Sequence, residues 1–144
     1  MLHTIAKKRA QALALVLVLS VLLTAMTALA ATKFIKARRG GVISIDKGVC
    51  FRIPPGSLEG DTTISADMVV KEDSICFYFG PDGTTFDPSA ELIIAWPALG
   101  EFIHLGVRDL ILYGEDGSET KPKIELRGTK YPIEHFSVYY FRRR

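Results

Sequence analysis

From Gly40 to the end of this chain, apolar residues recur every second position and Gly, Pro and Asp interrupt them at short intervals. This pattern restricts the fold more than any other feature, because side chains alternate faces only along a strand. In "GVISIDKGVCFRIPPGSL", Val42, Ser44 and Asp46 alternate with Ile43 and Ile45. After the Asp46-Lys47-Gly48 turn, Val49, Phe51 and Ile53 share one face while Cys50 and Arg52 take the other, and Pro54-Pro55-Gly56 ends the run. Further strands are expected in "TTISADMVV", "SICFYF", "ELIIAW", "DLILYG", "KPKIELRG" and "YPIEHFSVYYF". Seven or eight short strands between tight turns predict an all-β fold, a single antiparallel β-sandwich. Only Pro97 to Gly106 departs from the pattern, with room for one short helical turn.

The first thirty residues follow a different logic. Lys7, Lys8 and Arg9 precede an uncharged run from Ala10 to Ala31, and Ala28-Leu29-Ala30 places small residues where a signal peptidase reads them. Cleavage is expected between Ala30 and Ala31. The run is also nearly long enough to span a bilayer, so an uncleaved membrane anchor is the alternative. Lys33, Lys36, Arg38 and Arg39 follow it, so basic residues flank both sides and leave orientation open. The domain plan is a signal or anchor over 1–30, a basic linker over 31–39, the sandwich over 40–141 and a basic tail over 142–144. The expected destination is export: secreted, periplasmic or at the cell surface, released or anchored. Residues 1–30 hold three of the 18 basic residues and none of the 16 acidic ones, so the remainder carries 15 against 16, a net charge of −1. The basic balance therefore belongs to the export signal and does not indicate nucleic acid as a partner.

Three segments stand in a telling order: "GGVISIDKGVCFRIPPGSLEGDTTI", "FYFGPDGTTFDPSAELII" and "IEHFSVYY". Together they resemble a ZU-5 domain, the sandwich of ankyrins, netrin receptors, death-domain scaffolds and many short exported bacterial proteins. The resemblance runs from about Gly40 to Phe141. Its most specific part is Gly80-Pro81-Asp82-Gly83 with Phe86 and Pro88, followed by Ile53-Pro54-Pro55-Gly56. In physical terms Pro81 presets a turn whose Gly83 takes positive φ, Phe86 drops into the core and Pro88 blunts the start of the next strand. Some relatives cut themselves between Phe and Ser of a His-Phe-Ser motif, which makes His135, Phe136 and Ser137 the candidate self-cleavage site. The eukaryotic relatives continue into further domains; with the chain stopping after Arg144, their signalling role is not expected here.

The chemistry of self-cleavage is demanding. Ser137 would add to the Phe136 carbonyl, shift the acyl group from nitrogen to oxygen and leave an ester for water, with His135 as the nearest base. A regular strand holds residues two apart at about 7 Å, so direct proton transfer requires a bulge or other distortion. The plainer expectation is a closing strand with Phe136, Val138 and Tyr140 in the core and His135 and Ser137 outside. By the same parity Tyr131, Tyr139, Tyr140 and Phe141 beside Arg142, Arg143 and Arg144 read as a half-exposed strand with a solvated tail. Those arginines would touch anionic envelope polymers or lipid headgroups weakly.

Other chemistry is sparse. His104 and His135 lie far apart, no Cys/His pair has ligand spacing, and Asp82, Asp87, Glu115 and Asp116 sit in turns. No metal, cofactor or nucleotide is expected. Cys50 and Cys76 both fall opposite the apolar faces of their strands, and they can bridge only if those strands are neighbours. Trp96 alternates with Leu92 and Ile94 and is expected in the core. The leading functional expectation is a non-catalytic exported module for protein interaction or envelope architecture. Its partner would be an unknown protein or envelope component, and membrane contact would come only through the N-terminal segment. The alternatives are a self-cleaving domain and a polymer- or carbohydrate-binding sandwich with an exposed aromatic platform.

Overall fold

The structure, a computed structural model, describes residues 30–144. Eleven strands and one helix follow in order: β1 (Ala31–Ile35), β2 (Gly41–Asp46), β3 (Val49–Ile53), β4 (Thr62–Val70), β5 (Ser74–Gly80), β6 (Thr85–Ala95), α1 (Trp96–His104), β7 (Leu112–Gly114), β8 (Glu119–Thr120), β9 (Lys123–Glu125), β10 (Gly128–His135) and β11 (Val138–Arg142). They form two antiparallel sheets, β1-β4-β5-β11-β7-β8 and β2-β3-β6-β10-β9, packed as a β-sandwich. The alternation read in the sequence supplies the core: Val49, Phe51 and Ile53 from one sheet meet Ile75, Phe77 and Phe79 from the other, all nearly inaccessible to solvent. At its centre Phe51 lies 4.7 Å from Phe79, ring centroid to centroid, and Phe86 and Phe136 close the cluster.

The strand count exceeds the expected seven or eight partly because Glu119–Thr120 adds a two-residue strand, β8, beside β7, and for two further reasons. First, Ala31–Ile35 is not a linker. It pairs with β4 from Ala31↔Ala66 to Ile35↔Thr62, and Ile35 is buried at the core edge. Of the basic residues that suggested a linker only Lys33 lies in this strand, and it stays exposed while Ile35 is buried. Second, "YPIEHFSVYYF" is two strands. β10 pairs with β6 in one sheet, β11 with β5 and β7 in the other, and Phe136-Ser137 carries the chain across. The crossing reverses the parity: Phe136 is buried, but Tyr139 and Phe141 fill the core in place of Val138 and Tyr140. Tyr131 is fully buried as well, so only Tyr140 of the aromatic set reaches the outer surface. The basic tail is also anchored in part, since Arg143 donates from Nε to the Leu105 carbonyl (2.6 Å) and from its guanidinium to the Lys71 carbonyl.

The fold-specifying turn has the expected geometry at two of its positions. Gly83 has φ of +80° and Phe86 is buried. Pro88 behaves differently, lying inside β6 and not at its start. Between the pairs Ala90↔Ile133 and Thr85↔His135 the β6–β10 register slips, and Pro88 occupies this irregularity, where no ladder N–H is required.

Helix α1 is longer than one turn. Pro97 sits in its first turn, and Ala98, Leu99 and Phe102 cover one end of the core. Because β6 ends at Ala95, strand parity no longer governs Trp96, which is 41% exposed and not in the core. Its N–H and Nε1–H donate to the carbonyls of Arg127 (3.1 Å) and Leu126 (2.9 Å), fixing the β9–β10 turn against the helix start.

Candidate functional site

The His-Phe-Ser segment sits where the sandwich changes sheets. The slip between Ile133 and His135 ends regular pairing, and the Phe136 N–H donates to the Thr84 carbonyl (2.8 Å) in place of a ladder bond. Phe136 is held by three rings, Phe79 at 5.3 Å, Phe86 at 5.0 Å and Phe51 at 5.6 Å. Ser137 is partly exposed. Regular strand pairing is therefore interrupted at this segment.

Two residues remote in sequence hold His135. Its Nε2 lies 3.2 Å from Asp116 Oδ2 in the β7–β8 turn, and its carbonyl accepts the Tyr139 hydroxyl at 2.7 Å. Asp116 is itself fixed: its Oδ1 accepts from the Ser118 hydroxyl (2.6 Å) and N–H (3.0 Å), as expected of an acid in a tight turn. These Ser118 bonds, with His135 adding to them, hold the Asp116 carboxyl below its ordinary value. Burial pushes the Tyr139 phenol up to about 12, so it remains a donor. A shallow cavity of about 190 Å³ opens beside the pair, between Ser118, Pro132, Glu134 and Tyr139. Among the described residues no hydrogen bond joins Ser137 to His135. Sequence spacing could not identify Asp116 or Tyr139 as partners, because a strand crossing and a hairpin bring them together.

The two cysteines do not meet. Cys50 lies in β3 and Cys76 in β5, in different sheets and on outward faces, and both thiols are free. Cys76 is nonetheless buried, flanked across the strands by Val69 and Tyr140, and burial pushes the Cys50 thiol up. Outward strand parity thus does not leave either sulfur fully exposed. Among the described residues no group of three or more His, Cys, Asp or Glu side chains could hold a metal ion.

A second feature lies at the free edge of the β2–β9 sheet. Ile124 and Leu126 are 68% and 93% exposed, and Trp96 joins this edge by its hydrogen bond to the Leu126 carbonyl. The outward face beside this edge carries a ladder of alternating charge. Arg52 meets Glu91 at 2.5 Å, Lys130 lies 2.9 Å from Glu125 and 4.0 Å from Glu91, and Lys123 lies 4.0 Å from Glu125. The Lys130 ammonium holds the Glu125 carboxyl below its ordinary value.

Residues 1–29, with the basic and apolar parts of the expected export signal, lie outside the described residues, while Ala31 opens β1. Among the described residues no helix is long and apolar enough to cross a membrane. No protein-family model, no curated protein and no solved structure matches the chain.

Proposed function

We propose that the chain is a non-catalytic, exported recognition module of the ZU-5 type, serving protein interaction or envelope architecture. The observation that supports this reading is the apolar edge at Trp96, Ile124 and Leu126. Three large apolar side chains are exposed around one pinned turn, where full burial against a partner would gain at most roughly 1.5–3 kcal/mol each for Ile124 and Leu126, with a further gain from the less exposed Trp96. The charge ladder beside them provides a polar rim. Leu126→Asp should abolish capture of a stoichiometric envelope partner while leaving the thermal midpoint unchanged. Capture by the variant equal to wild type would refute the assignment of this edge.

A second reading is self-cleavage between Phe136 and Ser137. It is favoured by the strand break at that bond and by the Asp116 contact that orients His135. The cut would release Ser137–Arg144, which remain paired through β11 until the protein is denatured. Denaturing mass spectrometry of wild type against Ser137→Ala separates the two readings. The recognition module predicts intact chains in both, and loss of the last eight residues from wild type alone would make this a self-processing domain.

A further inference from the structure

The outward face of the β1–β8 sheet carries chemistry that strand parity hides. Tyr78 on β5, Tyr140 on β11 and Tyr113 on β7 all point away from the core, with Tyr140 directly opposite both Cys76 and Tyr113. The Tyr113 and Tyr140 rings stack 5.7 Å apart, 24° from parallel. Two cations accompany them: the Arg142 guanidinium lies 3.9 Å from the Tyr113 ring centre and the Lys71 ammonium 5.4 Å from that of Tyr78.

On the β5 side of Tyr140, away from Tyr113, a groove of about 650 Å³ runs to the end of the chain. Its floor has small side chains, Ser74 and Cys76, beside the larger Tyr140, and this difference in size creates the groove. Arg142, Arg143 and Arg144 line it, with Asp73 as the acidic side chain among the lining residues. Arg143 is occupied by the Leu105 and Lys71 carbonyls, and Arg142 rests with its face on the Tyr113 ring, so the N–H edge of Arg142 and the exposed Arg144 are the guanidinium groups left for a ligand.

We propose that this groove binds an acidic polysaccharide, with a sugar ring against Tyr140 and its carboxylate on the Arg142 and Arg144 guanidinium groups. The inference rests on the recognition-module reading and supplies it with a ligand. A pyranose ring offers an apolar C–H face to a tyrosine while its hydroxyls stay wet, and a guanidinium pairs with a carboxylate through two parallel hydrogen bonds. The groove lies within the size range of small-ligand sites. Charge density selects the polymer. Asp67, Asp73 and Glu119 share this sheet face with the cations, opposite or beside Tyr78, Ser74 and Tyr113. A duplex nucleic acid, with a charge about every 1.7 Å along its axis, would meet these acids at every register. A uronate chain carries one carboxylate per ring and can place each beside an arginine. This platform is separate from Trp96, which lies at the β9–β10 turn.

The test is affinity electrophoresis of the full chain at low ionic strength, with polygalacturonate in the gel. Parallel gels contain its methyl ester, which keeps the rings and removes the charge, or polyglutamate, which keeps the charge without rings. The expected result is retardation by polygalacturonate, at least about tenfold weaker with either control polymer. Tyr140→Leu and Arg142→Gln should each weaken retardation by about tenfold, while Tyr140→Phe keeps it. Thermal midpoints of the variants report whether the fold is retained. Polyglutamate acting as well as polygalacturonate, Tyr140→Leu binding as wild type, or preferential binding to phosphatidylglycerol vesicles would each overturn the proposal. Failure here with Leu126→Asp still abolishing partner capture would refute the groove and leave the recognition module standing.

Discussion

Gly83→Val isolates backbone strain from packing, because the position has no neighbours for a side chain to touch. Gly83 holds φ of +80°, and a Cβ built there meets no atom within 4 Å. The turn is fastened by the Thr84 N–H and hydroxyl, both donating to the Pro81 carbonyl at 3.4 and 2.7 Å. Positive φ costs a non-glycine residue about 1–3 kcal/mol, and β-branching puts valine in the upper part of that range, about 2–3 kcal/mol. Stiffening the unfolded chain returns about 0.4–1 kcal/mol, so the net loss should be about 1–2 kcal/mol. Gly100 provides the control. It lies in α1, also faces open space, and has no positive φ. Gly100→Ala should therefore stabilise the fold by about 0.5–1 kcal/mol. At roughly 4 °C per kcal/mol for a domain of this size, thermal unfolding by circular dichroism should fall by about 4–8 °C in one variant and rise by about 2–4 °C in the other. Equal shifts of one sign would mean that φ does not decide the outcome, and an unchanged midpoint for Gly83→Val would refute the turn.

Phe136→Ala removes a ring packed against three others and should cost about 3–5 kcal/mol in denaturant unfolding. Asp116 has a depressed native pKa, so its stabilising contribution is present above the unfolded carboxylate value of about 3.9 and is lost as pH falls through the native value. The midpoint difference between wild type and Asp116→Asn should accordingly shrink on acidification from pH 5 to pH 2, by a modest amount because the pair is solvent-exposed. A thiol reagent added to denatured, unreduced protein should titrate both Cys50 and Cys76, since the two lie in different sheets.

The sequence by itself determined the local geometry: which residues alternate, where glycine must turn the chain, and which face of each strand is apolar. Those properties rest on the period of two and on positive φ, and both act within a few residues. Val49, Phe51 and Ile53, Phe86, and the Gly83 turn were legible for that reason. The tertiary structure alone decided which sheet each strand joined, because antiparallel pairing links residues far apart in the chain. From that decision came the separation of Cys50 from Cys76 and the place of Ala31–Ile35 in a sheet. Where the chain crossed between sheets at Phe136-Ser137, the alternation reset, sending Tyr139 and Phe141 inward and Tyr140 outward. The Asp116 contact to His135 and the row of Tyr113, Tyr140 and Tyr78 arose in the same way, from neighbours that only the assembled sheets provide.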